Sequence, residues 1–204
     1  VLMQKLIDGI KKFQSEVYPD HKARFEALAS SQAPDVLFIT CSDSRIDPSL
    51  VTQTNPGELF ICRNAGNIVP PHSNETGGMT ASIEYAVSVL NVKHIVICGH
   101  SNCGAMKAAM QPESVNALPH VKVWLDHCRA AKEAVEHEHE HLEDKHLDEV
   151  TKQNIILQLN HLATHPAVFK KLHTKEIKLH GWVYDIESGK IEAYDTEQQR
   201  FIEI

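Results

Sequence analysis

No stretch of this sequence approaches the ~20 consecutive apolar residues that a membrane-spanning helix requires, so the expectation is a soluble protein. The opening residues Val1 to Leu6 are too few and too polar to form the apolar centre of a secretion leader, which favours the cytoplasm. Basic residues are in deficit: 20 Lys and Arg stand against 27 Asp and Glu, a formal charge of −7. A chain without clustered cations lacks the means to hold a phosphate backbone, and nucleic acid is excluded as a partner. Cysteine is sparse as well. Five in 204 residues do not form a disulfide scaffold, and an odd number leaves at least one unpaired within the chain. No internal repeat is visible.

At this length roughly 70% of the unfolded surface can be buried, and one core is expected. From Leu2 to Val17 the apolar residues Leu2, Leu6, Ile10, Phe13 and Val17 recur at helical spacing. A second short helix is expected from His21 to Ser30, followed by the breaker cluster Ser30 to Pro34. Residues 1–30 thus form a helical arm, and residues 31–204 the main domain. Asp35 to Thr40, Glu58 to Cys62 and His94 to Cys98 are short continuous apolar runs, the pattern of parallel strands covered on both faces. Helices are expected over Gly77 to Leu90, from Cys103 to Met110, Pro119 to Val135, His146 to Leu162 and Pro166 to Leu172. Lys178 to Ile186 reads as a strand that turns at Glu187 to Lys190 into Ile191 to Tyr194, a hairpin signal. The fold class is α/β: a mixed, mainly parallel sheet flanked by helices, with an N-terminal helical arm and a C-terminal β-hairpin. Glu136 to His146 (EHEHEHLEDKH) packs four histidines among acids. It reads as a solvated helix end or loop, with a metal-sequestering tract as the alternative.

Two motifs carry chemistry. CSDSR, Cys41 to Arg45, follows the first strand run, and HSNC, His100 to Cys103, follows the third after Gly99. In an open α/β sheet, ligands collect at the carboxyl ends of the strands. Cys41, His100 and Cys103 can share an ion if Gly99 and Gly104 allow a tight turn. Three ligands leave one tetrahedral position of a Zn²⁺ ion for water or substrate. Asp43 and Arg45 offer a carboxylate and guanidinium of fixed mutual geometry beside it. Cys62 and Cys98 lie inside apolar runs and read as small buried hydrophobes. Cys128 has no partner motif.

On these residues the chain resembles the β-class carbonic anhydrases. The likeness extends to LFICRNAGN (Leu59 to Asn67), ASIEYAV (Ala81 to Val87), ICGHSNCGAM (Ile97 to Met106) and HGWVYDIESG (His180 to Gly189). The resemblance implies reversible hydration of CO2 to bicarbonate and a proton, with one zinc ion per subunit on Cys41, His100 and Cys103. It makes Asp43 and Arg45 the catalytic dyad, orienting zinc-bound hydroxide toward CO2. It assigns the substrate pocket to Gln32, Phe60 and Tyr85, with part supplied by a second subunit, although burial tendency alone reads Phe60 and Tyr85 as core. It further implies a homodimer embraced by the N-terminal helices, extending in some members to tetramers or larger assemblies. Two thiolates offset the charge of zinc, so its water is less acidic than at an all-histidine site, and activity should climb above neutrality. Some members are inhibited by bicarbonate held on a Trp, an Arg and a Tyr. Arg63 and Tyr184 match two of these positions, but the Trp position is Phe38, which has no donor. That departure favours an open site.

Other readings remain. Cys41 as a nucleophile with Arg45 as oxyanion binder fits poorly, because a phosphatase loop needs five residues between Cys and Arg and this one has three. A purely structural zinc would need a fourth protein ligand, which Asp43 can supply. Hydrolysis of CS2 or COS on the same scaffold would use the same attack at carbon.

Overall fold

A computed structural model describes residues 1–204. It separates into two compact units, Val1–Ala33 and Pro34–Ile204. In the first, α1 (Leu2–Lys12) runs through a π-helical turn at Phe13–Val17 into α2 (Tyr18–Leu28). The second helix thus begins three residues before His21 and is continuous with the first. Pro19 has no N–H to give, and the Tyr18 N–H reaches back to Phe13 O across the wide turn. Phe13, Tyr18 and Phe25 stack beside that turn, the last two at 5.6 Å between ring centres. The predicted stripe is exposed within the chain, with Leu2 at 70%, Leu6 at 54% and Ile10 at 57%.

The second unit is built on one six-stranded sheet in the order β2-β1-β3-β4-β5-β6. Its strands are β1 (Val36–Cys41), β2 (Leu59–Asn64), β3 (His94–His100), β4 (Lys178–Tyr184), β5 (Ile191–Asp195) and β6 (Arg200–Glu203). The first four pair in parallel and the last two antiparallel. Leu37, Ile39, Ile95 and Ile97 share one face and pack with Ile83, Ile155 and Val168, while Phe38, Val96 and Cys98 on the other face are buried against Ile46, Val51 and Trp182, so the continuous apolar runs are covered on both sides. No helix is long and apolar enough to cross a membrane.

The flanking helices are α3 (Pro48–Thr52), α4 (Gly78–Ser88), α5 (Gly104–Met110), α6 (Pro119–Leu125), α7 (Arg129–Glu138), α8 (Leu147–Thr164) and α9 (Pro166–His173). The expected single helix over Pro119 to Val135 is broken at Asp126–Cys128 by a 3₁₀ turn, which lets Leu125 and Cys128 both reach the core. Neither α3 nor β6 is anticipated from the sequence, each being only four or five residues long.

The central packing element is α8. Ile155 presses onto the sheet where it has no side chains: a Cβ on Gly99 would lie 2.9 Å from Ile155 Cδ1, and one on Gly181 would lie 2.8 Å from Ile155 Cγ2. Gly99 therefore serves helix approach rather than a tight turn. The turn after β3 is made by Asn102 in the left-handed region, φ 52°, and Gly104 opens α5 with ordinary dihedrals. The predicted role of these two glycines is corrected accordingly.

Candidate metal centre

Strand order reverses at β1, because β2 lies on one side of it and β3 on the other. The carboxyl ends of β1 and β3 thus form the crevice where ligands gather in open α/β sheets. Cys41 is the last residue of β1 and His100 the last of β3. Cys103 is the N-cap of α5, and the N–H groups of Ala105 and Met106 face its sulfur.

These three side chains converge. Their ligand atoms lie within 4.8 Å of one another, and all three residues are buried. The two sulfurs are 4.0 Å apart, close to the ~3.8 Å edge of a tetrahedron built on 2.3 Å Zn–S bonds. His100 Nδ1 lies 2.7 Å from the Ser101 carbonyl. A carbonyl only accepts, so Nδ1 carries the proton and Nε2 keeps its lone pair. That Nε2 is buried with no hydrogen-bond partner. An orphaned imidazole nitrogen beside two sulfurs is the donor set of a thiophilic cation, and the residues fit zinc.

The sulfurs are prepared for charge. Cys41 shares a hydrogen bond with Cys103 and accepts from the Gly66 N–H at 3.4 Å, and this holds its thiol well below the usual range against the opposing effect of burial. Cys103, holding the shared proton, is pushed well above the usual thiol range. The remaining cysteines differ. Burial pushes Cys98 and Cys128 up to about 12 and raises Cys62, so they remain inert thiols.

Asp43 stands beside this group, its Oδ2 3.7 Å from His100 Nε2, but it is not one of the clustered donors. Arg45 grips it in a fork: Nε to Oδ1 at 2.9 Å, a terminal N–H to Oδ2 at 2.7 Å, and the backbone N–H to Oδ1 at 2.9 Å. That grip holds the Asp43 carboxyl well below the usual carboxylate range. Arg45 also donates to the Asn102 carbonyl at 2.9 Å, tying CSDSR to HSNC.

Sequence reading missed the supports. Arg63 donates to the carbonyls of Cys41, Asp43 and Ile46 at 2.8–3.0 Å, bracing the whole CSDSR loop. Gly66, φ 86°, places its N–H 3.4 Å from the Cys41 sulfur. Its carbonyl is held by Asn154 Nδ2 at 3.1 Å, while Gln158 joins Asn154 Oδ1 to the Val69 N–H. Both α8 side chains are at most 1% exposed. A buried amide on a helix face was the available signal, because such a group requires partners.

Phe60 and Tyr85 meet each other at 6.0 Å between ring centres. Phe60 lies four residues before Asn64, the β2 partner of Cys41, about 13 Å back along the strand. Within one chain they therefore stand apart from the three donors, and Tyr85 is 45% exposed. Gln32 lies exposed in the segment that ends the first unit. Phe38 is 1% exposed and packs edge-on against Trp182 at 6.1 Å, in a cluster that includes Tyr184.

The sequence profile of the carbonic anhydrase family matches residues 36–191. A carbonic anhydrase of Pseudomonas aeruginosa PAO1 is 50% identical over 203 residues, covering 99% of this chain and 92% of that protein. The structure of the β-carbonic anhydrase CcaA superposes with a TM-score of 0.97 at 43% identity, over the full length of both chains. The chain belongs to the β-carbonic anhydrases. Carbonic anhydrase 1 of Escherichia coli O157:H7 is 49% identical over 98% of this chain and 91% of its own. Two tetrameric β-carbonic anhydrases of Sordaria macrospora are represented by a structure at TM-score 0.84 and 28% identity, covering 94% and 96% of the two chains. As a family member the chain is a lyase, and Cys41, His100 and Cys103 form its candidate metal centre.

Proposed function

We propose that this β-carbonic anhydrase hydrates CO2 reversibly to bicarbonate and a proton at a zinc ion held by Cys41, His100 and Cys103. The observation that carries the reading is the buried, partnerless Nε2 of His100 facing two sulfurs 4.0 Å apart, with a clamped carboxylate alongside. Zinc held there would supply a Lewis acid that lowers the pKa of water, less strongly than at an all-histidine site because two thiolates offset its charge. The protein's own part is orientation. Asp43, ionised and fixed by Arg45, can only accept a hydrogen bond, so a hydroxyl group beside it turns its lone pair away from Oδ2 and toward CO2.

Asp43 as fourth ligand would have to surrender the two Arg45 side-chain bonds and the Arg45 N–H. Those bonds support an open site. Three hydrogen bonds from Arg63 to loop carbonyls and the packed ring of Phe38 support a site without the bicarbonate clamp. By family resemblance Gln32, Phe60 and Tyr85 form the substrate pocket, with part of it contributed by a second subunit. β2 is one of the two edge strands of the sheet, and beside it runs a groove of ≈ 440 Å³ lined by Ile61, Arg63, Asn64 and the start of α4.

Zinc content and stopped-flow CO2 hydration, for the protein and for Cys41→Ala, test the reading. The expected outcome is one zinc per chain with turnover that rises above neutral pH, both lost in the variant. Stoichiometric zinc without turnover at alkaline pH would establish the closed site instead. Faster turnover of CS2 or COS than of CO2 would reassign the substrate.

A further inference from the structure

The histidine-rich segment Glu136 to His146, which ends α7 and leads into α8, takes no part in the chemistry above, yet two of its four histidines are held in fixed positions. His146 is 5% exposed, and its Nδ1 accepts the Glu143 N–H at 2.9 Å in a capping box. His139 lies flat on that ring, 4.1 Å between centres and 16° from parallel. The stack leaves His139 Nε2 at 2.9 Å from Glu149 Oε2. Glu138 joins them, and the three ligand atoms lie within 4.8 Å of one another.

An ordinary surface ion pair between His139 and Glu149 would leave Glu138 unexplained. Two carboxylates with oxygens within 4.8 Å of each other and of one imidazole nitrogen draw positive charge to the space between them. Nearby lysines are engaged elsewhere: Lys132 with Glu136, Lys145 with Glu143, and Lys152 with Asp148 and Glu192. Glu138 is also the last residue of α7, where the helix presents its carbonyl end and favours positive charge. We propose that Glu138, His139 and Glu149 form a second divalent-cation site, distinct from the thiolate centre. One imidazole with two carboxylates selects a borderline transition ion of the Zn²⁺ or Ni²⁺ type over Mg²⁺ or Ca²⁺, which prefer oxygen ligands alone. The site is open to solvent, so water fills its remaining positions.

The test titrates the full-length protein, its thiolate centre already loaded with zinc, with Ni²⁺ alone in a calorimeter. One Ni²⁺ per chain is expected, at least about tenfold weaker in His139→Ala and in Glu149→Gln and unchanged in His141→Ala, a histidine of the same tract outside the cluster. Zinc content, CO2 hydration and thermal midpoint should match across all of these proteins, which separates loss of the site from loss of fold. No Ni²⁺ binding, or equal binding by His139→Ala and Glu149→Gln, overturns the proposal. So does a loss in His141→Ala as large as in His139→Ala, which would mean chelation by an unstructured tract. Displacement of Ni²⁺ by a hundredfold excess of Mg²⁺ would overturn the assignment of ion class.

Discussion

Arg45 is the residue that separates positioning from metal binding. It touches no candidate ligand, yet it supplies three of the bonds that orient Asp43. In Arg45→Ala, zinc content should be unchanged while kcat/KM falls by about 10²-fold, the usual scale for a lost orienting contact. Metal analysis beside stopped-flow hydration checks this, and an active Arg45→Ala would remove Asp43 from the proposed mechanism. Because Asp43 is held far below its ordinary range, it stays ionised at any working pH. Its contribution to stability is present above the unfolded value of 3.8 and lost only as pH falls through its lower folded value. The donors Cys41, His100 and Cys103 were legible in the sequence because Cys and His at strand ends have few other uses. Asn154 and Gln158 were not, because an amide on a helix looks like a solvent-facing residue until its partner loop is known.

Among the elements, α8 bears on both core and site. Its contact with the sheet depends on Gly181, where an added methyl would meet Ile155 and Leu159 at 2.8 and 2.9 Å. Gly181→Ala should cost about 1–3 kcal/mol by overpacking, read from the urea midpoint. Combining it with Ile155→Ala, which removes the Cγ2 that the new methyl would meet, should give a double variant less destabilised than the sum of the two single losses, since the two sites touch. Complete additivity would show that the strain lies elsewhere. The C-terminal end of α8 and the residue that follows it also hold the loop after β2: His161 donates to the Val69 carbonyl and His165 to that of Pro70. Burial lowers both imidazoles below the free value of 6.5. The unfolded chain therefore binds protons first on acidification. Stability is full above about pH 6.5 and declines as pH falls toward the folded values. Urea midpoints at pH 8 and pH 5.5 should differ in that direction, and less so in His161→Asn/His165→Asn. Parallel strands and long amphipathic helices were readable from their periodicity. The break at Asp126–Cys128 was not, because the apolar spacing continues across it while only packing decides that the axis must turn.

At the scale of the whole molecule, the exposed stripe on α1 and the open edge at β2 lead to one expectation about assembly. Leu6 and Ile10 are more than half exposed within the chain, a pattern that marks an interaction surface when the residues are contiguous. Sedimentation should find a dimer or a larger even-numbered assembly, and Leu6→Glu/Ile10→Glu should shift it toward monomer with reduced hydration activity. A wild-type protein that sediments as an active monomer would leave Phe60 and Tyr85 without a site to complete. The α8 clamp carries a further consequence, which concerns time. Synthesis delivers Cys41, His100 and Cys103 before Asn154 and Gln158, with roughly fifty residues between. At about 5–20 residues per second, the thiols exist for some seconds in a chain that has not yet made the helix that holds the Gly66 loop over them. Slower elongation through residues 104–154 is therefore expected to lengthen the period in which oxidation can reach these thiols first.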